Sequence, residues 1–142
     1  MSLRRKKVLF VCIGNSCRSP MAEALARHLA ADVIEPASAG VSPLGHIVPQ
    51  TRTVLREKKI PAGDLHSKSL REVDPDSAHL IVNMTGIPGE SLFPGAKVVD
   101  WPVDDPFGED LGMYREVCEE IESRLTQLAE QICRESSAKP KK

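Results

Sequence analysis

The chain has 142 residues, 19 Lys and Arg against 20 Asp and Glu, a formal net charge of −1 and 41% hydrophobic residues. That length supports one domain with a proper core. The balanced charge leaves no nucleic-acid footprint, because the basic runs Arg4–Lys7 and Lys139–Lys142 are terminal; no apolar run approaches the ~18 residues of a membrane span, and four cysteines without a secretory leader fit a reducing, cytoplasmic setting.

Strands and helices alternate along the chain. Residues 7–11 read as a buried strand and 20–31 as a helix, in which Met21, Leu25 and Leu29 repeat at helical spacing and face the sheet. A second strand is expected over 33–38, closed by Gly40, and a second helix over 48–59. Residues 80–84 form a continuous apolar run suited to a buried parallel strand, and 97–100 a shorter fourth one. The last helix spans 111–133, with Leu111, Tyr114, Cys118, Ile121, Leu125, Leu128 and Ile132 on one stripe. The stripe is about three heptads long, too short to favour a coiled coil, and reads as a face docked on the sheet. It claims Cys118 for the core; Cys133 falls one step off it and takes no role. The pattern predicts an α/β fold, a four-stranded parallel sheet flanked by helices on both faces. One domain over 6–134 and a mobile tail over 135–142 are expected.

In such sheets ligands bind at the carboxyl ends of strands. The turn between the first strand and the first helix, Cys12-Ile13-Gly14-Asn15-Ser16-Cys17-Arg18, lies there. A helix N-terminus offers unpaired N–H groups and a positive dipole end, which suit a tetrahedral anion. Gly14 and Asn15 tolerate the left-handed angles that fold N–H groups into a nest. Arg18 adds a planar fork for two phosphate oxygens, and Pro20 suits the first helical turn. A helix N-terminus and a nearby arginine also favour thiolate over thiol, so Cys12 is a candidate nucleophile, with Ser19 able to donate a hydrogen bond to it. Asn15 and Ser19 read as loop-builders bonded to each other.

Other readings of these residues are weaker. Cys12 and Cys17 have no second Cys/His pair that would complete a zinc site, and the apolar run after Arg4–Lys7 is too short for a signal peptide. Cys17 either pairs with Cys12 under oxidation or is a small buried residue of the loop. Asp104-Asp105-Pro106-Phe107-Gly108 taken alone is a plain turn. His28, His46 and His79 have no partner visible in the sequence. No metal or cofactor is expected.

Cys12, Arg18 and Ser19 near the N-terminus, with Asp105-Pro106 near the C-terminus, resemble the low-molecular-weight protein tyrosine phosphatase family, over roughly residues 6–134. The resemblance also covers Ser38-Ala39-Gly40. It implies that residues 13–18 bind phosphate and that Asp105 is the general acid, with Asp104 the neighbouring candidate. It further implies that His66 supports the loop. The expected reaction forms a phosphocysteine on Cys12 while Arg18 holds the equatorial oxygens; Asp105 protonates the leaving group and then activates water. The partner is a phosphorylated protein, and the loop takes phosphate or another oxyanion.

The family includes arsenate reductases, which Trp101–Pro106 and His66-Ser67-Lys68 resemble. Those enzymes use two further cysteines after the third strand, and residues 80–100 contain none. A third branch, the protein-arginine phosphatases, has a small threonine where Ser16 stands; Met84-Thr85 and Phe107 are similar to it. Ser16 and Phe107 are thus the substrate-recognition candidates. The sequence reading favours phosphotyrosine-type hydrolysis, with arsenate reduction through thioredoxin or a small thiol, or phosphoarginine hydrolysis, as alternatives. A phosphate-binding module without catalysis would not need Asp105.

Overall fold

The computed structural model describes residues 5–137. Strand β1 (Lys6–Cys12) is followed by helix α1 (Arg18–Leu29), β2 (Ile34–Gly40), α2 (Pro49–Glu57), β3 (Leu80–Asn83), the short α3 (Gly89–Leu92), β4 (Val98–Asp100) and α4 (Leu111–Ser137). All pairings are parallel, in the order β2-β1-β3-β4. The expected α/β class is therefore the observed one.

β1 is central and apolar on both sides, as a parallel strand covered on both faces must be. Val8, Phe10 and Cys12 point into the larger core with Met21, Leu25, Tyr114, Ile121 and Leu125 from α1 and α4. Leu9 and Val11 point the other way, into a smaller core with Ala39 and Ile81. The two faces are unequal. α1, α2 and α4 pack together over the first. The second is closed by two 3-10 turns (Leu70–Glu72 and Pro75–Ser77) and by Phe93 just after α3.

Most element ends differ from expectation by one or two residues; β2, expected over 33–38, is Ile34–Gly40. α1 begins at Arg18, two residues early, and ends at Leu29. Leu29 is 49% exposed: Met21 to Ala26 are buried right round the helix, but the last three residues, Arg27, His28 and Leu29, are all exposed, so the final turn runs beyond the packed layer. α4 runs on to Ser137, so residues 135–137 of the expected tail are helical. The rest of that tail, 138–142, and Arg4 of the N-terminal basic run lie outside the described residues. The α4 stripe docks as expected, with Tyr114, Cys118, Ile121, Leu125 and Ile132 buried. Burial pushes the Cys118 thiol up to about 12, in keeping with a core position. No helix among the described residues is long and apolar enough to cross a membrane.

Candidate active site

β1 delivers Cys12 to the carboxyl end of the sheet, and residues 13–17 turn from there into α1. The turn is fixed from behind by its carbonyls. Cys12 O accepts from Val41 N–H (3.2 Å), Ile13 O from Ser42 N–H (2.9 Å), Gly14 O from Leu44 N–H (2.8 Å) and Ser16 O from Val48 N–H (3.3 Å). Thr51 Oγ1 adds a bond to Ser16 O (2.8 Å), and Ser67 Oγ one to Gly14 O (3.1 Å). With these carbonyls turned outward, the inner side of the loop is left to N–H groups, the arrangement an anion needs.

Asn15 is the hub of the loop. It takes the left-handed angle (φ 47°) that asparagine tolerates; Gly14 does not take it. The Asn15 amide donates to Ser19 Oγ (2.7 Å) and Ser38 Oγ (3.0 Å) and accepts from Lys68 N–H (2.7 Å). Asn15 is wholly buried and is not among the residues lining the cavity; its side chain braces the loop from behind. The expected Asn15–Ser19 bond is present. Ser19 Oγ in turn lies 3.0 Å from Cys12 Sγ, and Ser19 N–H 3.4 Å from it. Behind Ser38 stands Glu23, a buried carboxylate that accepts from Ser38 Oγ and pairs with Arg27 and with Lys68 Nζ (3.6 Å).

Support from the segment around His66 is real, but it comes from other residues. His66 is exposed, and its carbonyl merely accepts from Lys68 Nζ. Ser67 holds the loop through its hydroxyl, on Gly14 O, and Lys68 through its backbone N–H, on Asn15 Oδ1.

Arg18 is buried at 5% exposure. Its Nη1 donates to Met84 O and to Val103 O (3.0 Å), while Nη2 lies 3.5 Å from Asp105 Oδ2. Nε is buried with no protein partner. One arm of the fork is thus pinned to the backbone after β3 and β4, and the Nε–Nη2 edge remains, the edge that bonds an oxyanion bidentately. Asp105 is half exposed and accepts from Phe107 N–H (3.1 Å). A cavity of about 190 Å³ joins these groups, lined by Cys12, Ile13, Gly14, Ser16, Cys17, Arg18, Asp105 and Phe107. Asp104 does not line it. Ser42 and Leu44 do, and nothing in their local sequence marked them, because the chain brings them there by pairing with the loop carbonyls. All four cysteines are free thiols, and burial pushes the Cys17 thiol up against the pull of Tyr114, Ser16 and Thr51.

The family model described as low molecular weight phosphotyrosine protein phosphatase matches residues 7–138. The chain belongs to that family. Within the family it is 35% identical to a protein-arginine-phosphatase of Bacillus subtilis, over 88% of this chain and 95% of that one. It is 33% identical to arsenate reductase 1 of Bacillus cereus, over 89% and 96%. An arginine phosphatase structure from Geobacillus stearothermophilus superposes with a TM-score of 0.84 at 32% identity, covering 96% of this chain and 99% of that one. This member of the family therefore has relatives of similar distance with different named activities.

Proposed function

We propose that the chain is a protein phosphatase that works through a phosphocysteine. The observation that carries this reading is the single cavity onto which Cys12, the free edge of Arg18 and Asp105 all open. The phosphoryl group sits in the loop with its equatorial oxygens on the inward N–H groups and on Arg18 Nε and Nη2. The Cys12 thiolate attacks phosphorus in line, the bond to the leaving atom breaks, and Asp105 gives that atom its proton. Water then attacks the phosphocysteine, the P–S bond breaks, and Asp105 takes the water proton. Ser19 holds the sulfur in place from behind, 3.0 Å away.

Among substrates, the rim favours phosphoarginine over the phosphotyrosine expected from sequence. Ser16 is small, and Phe107 presents a 55% exposed ring. A planar, cationic guanidinium suits the face of that ring better than a neutral aryl group does. The arginine-phosphatase relatives support the same choice. Arsenate reduction has less support. Residues 80–100 hold no cysteine, and the segment after β3 is tied down: Asn83 donates to Asp100 Oδ1 (2.9 Å), Thr85 Oγ1 to Asn83 Oδ1 (2.8 Å), and Ile87 N–H to Thr85 Oγ1 (2.9 Å). The test is side-by-side turnover of phosphoarginine and phosphotyrosine peptides, and of arsenate with thioredoxin or a small thiol. Faster release of phosphate from phosphoarginine, by about tenfold (~1.4 kcal/mol of selectivity), is expected. Faster phosphotyrosine turnover would restore the sequence reading, and thiol-dependent arsenate reduction without phosphatase activity would overturn both.

A further inference from the structure

Behind the phosphate loop lies a buried hydroxyl that the chemistry above does not use. Tyr114 is 1% exposed and heads the fully buried side chains by size. Burying a hydroxyl in a core costs free energy unless it finds partners, and phenylalanine would fill the same space.

The hydroxyl bonds to the phosphate loop, and the helical turn that carries Tyr114 is joined directly to the acid loop. On one side, Cys17 Sγ donates to the Tyr114 hydroxyl at 3.7 Å. Cys17 is itself on the cavity wall, and its neighbour Ser16 is held by Thr51. On the other side, the acid loop runs directly into the turn that carries Tyr114. Glu109 N–H bonds Pro106 O (2.8 Å), Asp110 Oδ1 accepts from Met113 N–H (3.0 Å), and Asp110 O from Tyr114 N–H (3.3 Å). Burial, then Cys17 and Asp105, push the phenol well above its ordinary value, against the pull of the Gly108 N–H. The group therefore stays a neutral hydroxyl.

We propose that Tyr114 is a positioning residue that locks the Asp105 loop to the phosphate loop, holding the proton donor in register with the Cys12–phosphorus axis. Cys17 is the contact through which it grips the phosphate loop, and the first turn of α4 is the lever through which it sets the acid loop. The proposal rests on the phosphatase reading above.

The variant that isolates the hydroxyl is Tyr114→Phe, which keeps the ring and its packing. kcat/KM is measured on an aryl phosphate with a poor leaving group and on one with an activated leaving group, for the wild type, Y114F, D105A and the double variant. Losing the register is expected to cost about tenfold on the poor leaving group and less than about twofold on the activated one, which needs little proton transfer. In the D105A background the same substitution is expected to cost nothing more, because its effect runs through Asp105. A residue that only stabilised the fold would slow both substrates alike and add its loss to that of D105A; either result overturns the proposal, as does an unchanged Y114F. Thermal melting of Y114F, read by circular dichroism, confirms that a folded protein is being assayed. Should the wild type hydrolyse neither substrate, the phosphatase reading falls and this inference with it. Should the wild type hydrolyse both while Y114F shows no split, only this inference falls.

Discussion

The two loops that meet at the cavity are built on opposite terms. Residues 12–18 are buried or half-buried, four of their carbonyls are tied to residues 41–51, and the Asn15 amide makes three hydrogen bonds. Residues 104–110 are exposed apart from Pro106, and their aspartate has one backbone N–H and a 3.5 Å approach to Arg18. The difference matches two tasks. N–H groups that stabilise a charged transition state act best when they are aimed before the substrate arrives. A carboxyl group that gives a proton in one step and takes one in the next needs water and room to adjust.

If that division is right, damage to each loop leaves a different signature. The largest effect is expected at the proposed nucleophile. Cys12→Ser should lower turnover by about four orders of magnitude or more while keeping vanadate binding, read by fluorescence or calorimetry, because the N–H nest and Arg18 remain. Substantial residual turnover would remove the phosphocysteine from the mechanism. Next comes the exposed loop. Asp105→Ala should cost about 10²–10³ in kcat/KM on poor leaving groups and far less on activated ones, with vanadate affinity preserved. Asp104→Ala, which alters no lining residue, should stay within about twofold of wild type on both. A larger loss from Asp104→Ala would reassign the acid.

The sequence made the immobile half of this site far easier to read than its supports. An apolar strand ending at Cys12 and a helix opening near Pro20 fix a strand–turn–helix by local spacing alone, and the anion site follows from that geometry. The α4 stripe was equally legible, because its period runs through seven residues. What local spacing does not encode is contact across long stretches of chain. Ser67 and Lys68 reach the loop from 53 residues away, so the histidine beside them drew the attention instead. Tyr114 reaches Cys17 across 97 residues, and on the stripe it looks like any other core residue. Leu29 fits the helical spacing of Met21 and Leu25, yet the pattern does not say that the last turn of α1, Arg27 to Leu29, is exposed on every side. Ser42 and Leu44 reach the cavity wall only because β2 ends beside the loop.

That adjacency gives the subtlest way to separate the two loops. Gly40 ends β2 against the back of the phosphate loop: a Cβ there would stand 2.7 Å from Ile13 O and 2.8 Å from Asn15 N. Both are backbone atoms, so no side-chain rotation relieves the clash, and Gly40→Ala must push the loop toward the cavity. Overpacking of this kind costs about 1–3 kcal/mol, part of it in stability and part in the aim of the N–H groups. Inhibition by inorganic phosphate and KM should therefore weaken severalfold, since the nest is distorted in the ground state as well as the transition state. The ratio of rates on poor and activated leaving groups should hold at its wild-type value, because neither Asp105 nor the Tyr114 contact at Cys17 is touched. A change in that ratio would mean that the displaced phosphate loop leaves Asp105 behind, and that Tyr114 does not hold the two loops in register.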